Sequence, residues 1–205
     1  LLVSTENQET YDERVAELLQ CPAVVRGISA EPLLGPIGLG LGRWIRVIAP
    51  DGTFKVLRED APGLRVDPKA WDEGRASYIR DIDWAIIGGE SGADCRPNDL
   101  EWTRSILAQM IAHNRYCSDN AHVVPFLKQL GGAALDREAG LVGRLYPEPP
   151  KAERGWIRTR LKDGHGGNEA EFPADLQGFR HFPIPRLPGP TSTPRSPAGQ
   201  LGLAI

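Results

Sequence analysis

Three short apolar runs in this chain each end on a glutamate. LLVSTE closes at Glu6, AVVRGISAE at Glu31 and DWAIIGGE at Glu90. Packing does not favour a carboxylate at the end of a buried strand. If the strands run parallel, three such ends bring three carboxylates to one edge of a sheet. Parallel strands need crossovers of a dozen or more residues. One follows the first run directly: TYDERVAELLQC, Thr10 to Cys21, has Val15, Leu18 and Leu19 at helical spacing. Thr10 and Glu13 stand at capping-box spacing and are expected to open that helix. Strand, helix, strand in order is the unit of a parallel α/β sheet.

The third run is nearly continuous in apolar residues and is expected to be a strand buried on both faces. PNDLEWTRSILAQMIAHN then reads as a helix, capped by Asn98 or Asp99, with Trp102, Ile106 and Met110 facing one way. HVVPFLKQLGG reads as a fourth strand ending near Lys128 and Gln129, weakened by Pro125. Residues 1–132 therefore form the α/β unit. Within it, residues 38–80 break the rhythm and are expected to be an insertion. WIRVIAPDGTFKVL reads there as a β-hairpin turning at Asp51-Gly52, and VDPKAWDEGRASYIRD as irregular chain or a short helix. Residues 133–183 are loop-rich with few apolar residues. Residues 184–205, rich in proline, serine and glycine, are expected to be a disordered tail. The chain opens without methionine and already in an apolar strand, which reads as a chain cut in mid-domain. Leu1–Ser4 would then leave an unpaired sheet edge.

A length of 205 residues, 40% hydrophobic and 25% charged, suits one globular domain with a core. A net charge of −3 and a pI near 5.9 give no global basic field toward nucleic acid or an anionic membrane. No apolar run approaches the ~20 residues of a membrane span. No signal peptide is visible, so a cytoplasmic protein with no membrane partner is expected. Cys21, Cys95 and Cys117 are odd in number, far apart and free of any C-x-x-C pair, and read as reduced thiols. His113, His122, His165 and His181 match no metal-ligand spacing, and no metal site is expected. Walker loop, nucleophile elbow and HExxH helix are absent from the sequence.

Ligands of parallel α/β folds sit at the carboxyl ends of the strands. The candidate ligand-binding residues there are Glu6, Asn7, Ser29, Glu31, Gly88, Gly89, Glu90, Ser91, Arg96, Lys128 and Gln129. Three carboxylates can hold a cationic group, coordinate a metal through oxygen, or move protons. Lys128 can pair with one of them or contact an anion. Gly88-Gly89 permits close backbone approach or a sharp turn, and Arg96 can fix an anion or a glutamate. Each has a plainer reading: a solvated loop for Glu6, a salt bridge for Glu31, a tight turn for Gly88-Gly89 and a surface arginine for Arg96. No catalytic residue is assigned.

VSTENQ, ISAEPLLGP, IDWAIIGGESG…RP, VPFLKQLGG and KDGHGGNEAEFPADLQGFRHFP occur in that order. Together they resemble the phage gp-thirty-seven/gp-sixty-eight family, whose function is unknown, from Leu1 to about Pro183. The resemblance implies a radical-SAM-like partial (βα) barrel. It implies that a complete member has an N-terminal half with closely spaced cysteines, a [4Fe–4S] site and S-adenosylmethionine. This chain has no such cysteine cluster. It is therefore expected to hold no cofactor itself, to be inactive alone, and to partner a missing cysteine-bearing half in the same or a separate chain. Typical radical-SAM enzymes carry Gly-Gly-Glu near the second strand; Gly88-Gly89-Glu90 comes late, so that role is not carried over.

The functional expectation is the C-terminal half of a phage-type radical-SAM-like protein with a carboxylate-lined pocket. Its substrate, a small molecule or nucleic acid, is unknown. The alternatives are a non-catalytic phage- or host-binding module on the same scaffold, and a truncated gene remnant.

Overall fold

A computed structural model describes residues 1–60, 65–92, 94–136, 157–158 and 161–183. The expected disordered tail, 184–205, lies outside the described residues, as does much of the loop-rich segment before it. The opening unit is β1 (Leu2–Ser4), α1 (Gln8–Leu18) and β2 (Gly27–Ala30). The helix starts earlier than the capping-box spacing predicts. Asn7 is the N-cap: its Oδ1 accepts from Thr10 N at 3.1 Å, while Thr10 Oγ1 accepts from Asn7 N at 3.2 Å. Thr10 thus closes the box from inside the helix. Tyr11, Val15 and Leu18 form the buried stripe.

The connection leaving β2 contains no long helix. Residues 33–39 run as an extended strap, with Leu33, Ile37 and Leu39 buried. Gln109 holds the strap by accepting from Leu39 N at 2.7 Å and donating to Ile37 O at 2.9 Å. The chain then builds β3 (Trp44–Ile48), β4 (Phe54–Arg58), the short α2 (Pro68–Asp72) and β5 (Ala76–Tyr78). β3 and β4 pair as an antiparallel hairpin, whose turn places Gly52 at φ +86°. β5, unforeseen from the sequence, pairs with the other edge of β3.

β6 (Trp84–Gly88) returns to the first sheet. After it come β7 (Asn98–Asp99), α3 (Leu100–Tyr116), β8 (Val124–Gln129), β9 (Ala134–Asp136) and β10 (Ile157–Arg158). Asp99, not Asn98, caps α3, accepting from Glu101 N at 2.9 Å. Asn98 instead donates to Leu130 O at 3.0 Å. The central sheet has the order β1-β2-β6-β8, and every pair is parallel. Strand order follows chain order, so the sheet winds one way without a reversal. A second sheet, β10-β9-β7, mixes parallel and antiparallel pairs.

One core is sealed between the sheet and its two helices. Ile28, Ala30, Ala85, Ile87 and Leu127 meet Tyr11, Val15 and Leu18 of α1 and Leu100, Ile106 and Met110 of α3. The expectation that β6 is buried on both faces fails. Ala85 and Ile87 are buried, whereas Trp84 and Ile86 are only half-buried. Both helices lie on one side, and no described helix covers the other.

The segment 161–183 is more structural than its composition suggests. Phe172 and Leu176 join the core. Residues 179–181 lie antiparallel along β8: Leu127 N donates to Phe179 O at 2.6 Å and His181 N to Pro125 O at 3.1 Å. Pro125 is tolerated because its missing N–H faces this outer edge rather than β6. Arg104 of α3 ties the segment down. It makes two 2.9 Å bonds to buried Asp136, reaches Asp175 at 2.6 Å, and pairs with Glu101 at 2.6 Å. Among the described residues, no helix is long and apolar enough to cross a membrane.

Candidate functional site

The register places side chains of the uncovered face in rows. Leu2, Gly27, Trp84 and Val124 form the row nearest the amino ends, and Ser4, Ser29, Ile86 and Phe126 the next. Beyond them, at the carboxyl ends, come Glu31, Gly88 and Lys128. The face therefore grades from apolar to charged along the strands. Trp84 and Phe126 pack edge-on with ring centroids 6.1 Å apart. Phe182 stacks on Phe126 at 4.9 Å and is 69% exposed.

Glu31 is the charged residue most embedded in this face. Its peptide bond to Pro32 is cis. Its side chain folds back over β6, where a Cβ on Gly88 would stand 2.5 Å from Glu31 Oε1. Gly88 is thus the residue that makes room for the carboxylate. Ser29 Oγ donates to Oε2 at 3.1 Å, and Lys128 Nζ lies 3.3 Å from Oε1. No donor is aligned on Oε1 itself, which is shielded from solvent. Gly89 serves packing: a Cβ there would collide with Leu130 O. Gln129 Nε2 donates to Gly89 O at 2.7 Å, locking the ends of β6 and β8 together.

The other two strand-end glutamates have different employment. Glu90 accepts from Arg96 N and Nε at 2.8 Å each, and from Arg96 Nη2 at 3.2 Å. This clasp closes the loop after β6 and holds the Glu90 carboxyl down at a pKa of about 2. Ser91 beside it is exposed. Glu6 pairs with Arg14 of α1 at 3.2 Å, and its backbone carbonyl accepts from Leu34 N at 2.8 Å. The hydrogen bond to Glu90 raises the Arg96 pKa, with a lesser contribution from the Glu6 charge. Asn7 is spent on the α1 cap.

Each carboxylate at the edge therefore has its own cation: Glu6 with Arg14, Glu31 with Lys128, Glu90 with Arg96. The edge is charge-balanced rather than acidic. Among the described residues, no group of three or more His, Cys, Asp or Glu side chains is placed to hold a metal ion. The balance also leaves little net attraction for a phosphate backbone.

One contributor escaped the sequence reading. The loop DGHGG, residues 163–167, packs against the end of β8. Leu130 N donates to Gly166 O at 2.8 Å, and Gly166, at φ +66°, would place a Cβ 2.7 Å from Gly131 O. A Cβ on Gly132 would fall 2.8 Å from Cys95 Sγ and 3.2 Å from Gly164 O. His165 is thereby carried near the carboxyl edge on an Asx turn, in which Asp163 accepts from His165 N at 3.0 Å and Gly167 N at 2.8 Å. The turn was visible in the sequence; its address was not. Arg180, which donates to Leu127 O at 3.1 Å and to Lys128 O at 2.7 Å, completes this wall.

The fold and edge define an α/β protein with a one-way parallel sheet and a charge-paired carboxyl edge. Residues 1–166 match a protein family of unknown function, DUF5131, and the chain belongs to that family. No curated protein and no solved structure matches it.

Proposed function

We propose that the chain is the C-terminal part of a radical-SAM-like (βα) barrel of phage type, and that its uncovered sheet face is the ligand side. The observation that carries this reading is the Glu31–Lys128 pair, set over Gly88 where a one-way parallel sheet exposes an apolar floor. A one-way strand order with helices on a single side is what a barrel wall has. The outer edge of β1 pairs with no strand among the described residues, and further strands would add there. The function is to bind a small ligand that has both cationic and anionic groups. Glu31 receives the cation, Lys128 the anion, and Ser29 orients Glu31.

The two implied cofactors fare differently. Cys21 lies beyond α1, Cys95 is buried after β6, and Cys117 ends α3. These thiols form no ligand group for a [4Fe–4S] cluster, so this chain's described residues do not fit one. S-adenosylmethionine carries an ammonium and a carboxylate, which Glu31 and Lys128 answer in charge. Bound there, it would supply a cleavable sulfonium.

Calorimetric titration of S-adenosylmethionine into the full chain tests the reading. Saturable binding that Glu31→Gln weakens by about tenfold is expected, since a charge-assisted bond is lost. Absence of binding, or equal binding by the variant, overturns it. The Trp84–Phe126–Phe182 patch, half-buried at the first two rings and exposed at Phe182, favours a second reading, a non-catalytic module that docks a protein partner.

A further inference from the structure

A second concavity shares no residue with the strand-end face. It is an open cleft of about 500 Å³ between the crossover strap, β4 and α3, lined among others by Gly40, Leu41, Arg43, Arg58, Asp60 and His113. Its strap, GPIGLGLGR, has Gly40 at φ +57° and Gly42 at φ +79°. Most amides here have protein acceptors: Gly38 N on Gln8 at 2.6 Å, Leu39 N on Gln109 at 2.7 Å, Gly42 N on Asp81 at 2.7 Å and Arg43 N on Gly40 O at 3.1 Å. The two amides between them, Gly40 N and Leu41 N, have none among the described residues. Consecutive amides in a chain curled by left-handed residues form a concavity for anions.

The side chains agree with the backbone. The Arg58 stem lies on Gly40, where a Cβ would stand 2.5 Å from Arg58 Cδ. Its guanidinium is balanced by Asp12 and Asp60, each at 2.7 Å. Arg43 is exposed and has no carboxylate partner among the described residues. His113 turns Nε2 to Ala121 O at 3.2 Å, and its Nδ1 has no hydrogen-bond partner among the described residues. Asp12 and Asp60 both hold Arg58, and Asp81 takes Gly42 N, so Arg43 is the cation left for a ligand. Unpaired amides beside an unpaired guanidinium suit a compact oxyanion with several acceptor oxygens.

We propose that this cleft binds a phosphate group, as free phosphate or as the monoester of a small molecule. The test is a titration of the isotopically labelled full chain with inorganic phosphate, followed by amide NMR at constant ionic strength set with chloride. Saturable shifts at Gly40 and Leu41 are expected. Arg43→Ala should weaken binding by about tenfold, as expected for losing a charge-assisted contact. Arg43→Lys should retain part of it. Tighter binding of glycerol phosphate than of phosphate supports the proposal and identifies the monoester as the natural form. Shifts reproduced by chloride alone, or indifferent to Arg43→Ala in a variant that still melts cooperatively, overturn it.

Discussion

On one face of the central sheet, Ile28, Ala30, Ala85, Ile87 and Leu127 are sealed under α1 and α3. On the other, the same strands present Ser29, Trp84, Ile86 and Phe126 half-open to solvent. Adjacent residues one peptide apart, such as Ile86 and Ile87, therefore live in different environments. Parallel sheets are ordinarily covered on both sides, because crossovers bring helices to them. Here the β2-to-β6 crossover spends its length on an extended strap and a small antiparallel sheet, and both helices fall on one side. Stability is concentrated on the closed face. The open face carries an aromatic floor, a hydroxyl and the Glu31–Lys128 ion pair.

Five substitutions break or sharpen this contrast, from the largest expected effect to the smallest, with Ile86→Ala set beside its neighbour Ile87→Ala for comparison. Ile87→Ala, on the closed face, should cost about 3 kcal/mol, the usual price of a deleted buried side chain. Ile86→Ala should cost less than about 1 kcal/mol, because a half-exposed side chain loses little transfer energy. Urea denaturation measures both, and equal costs would mean that something covers the open face in solution. Arg104→Met removes a charge partner of fully buried Asp136 and the tie between α3 and Asp175 of the 161–183 segment. A loss of about 2–3 kcal/mol is expected, read by denaturation, with increased hydrogen exchange along the β8 edge.

Asp81→Asn tests the rim of the closed face by pH. Burial raises the Asp81 pKa from 3.8 to about 6, against the opposing hydrogen bond from Gly42 N. The native state therefore holds this proton more tightly than the unfolded chain does. The contribution is most favourable below pH 4 and is lost as pH rises through about 6. At pH 7 the Asn variant should be more stable by about 2 kcal/mol, and the loss of stability between pH 4 and 6 should flatten. An unchanged pH profile would show that Asp81 is solvated. Glu31→Gln, on the open face, should change stability by less than about 1 kcal/mol while it weakens ligand binding. A larger loss of stability would make Glu31 a structural residue.

The parallel strands, the two helices and the hairpin at Asp51-Gly52 were legible because they rest on local periodicity and turn chemistry. Glu6, Glu31 and Glu90 were legible as strand ends for the same reason. Their separate fates were not. Arg96 was read as able to fix a glutamate, though not which one, while Arg14, which pairs with Glu6, gives no signal of direction along a sequence. Asn7 reads as a polar loop residue until the helix is seen to begin beside it. Gly88 and Gly89 suggest close approach, but only the fold reveals that the approaching groups are the Glu31 side chain and the Leu130 backbone.

The sequence by itself determined the alternation of strands and helices, the stripes of α1 and α3, and the placement of carboxylates at strand ends. Those properties follow from side-chain spacing over a few residues. The tertiary structure alone decided which face of β6 is sealed, which glutamate remains set in the open face, and how residues 161–183 reach the end of β8. It also assembled the cleft of Gly40, Arg43 and His113 from segments some 70 residues apart. Such facts depend on contacts between distant segments, and a local pattern carries no record of which distant surface it will meet.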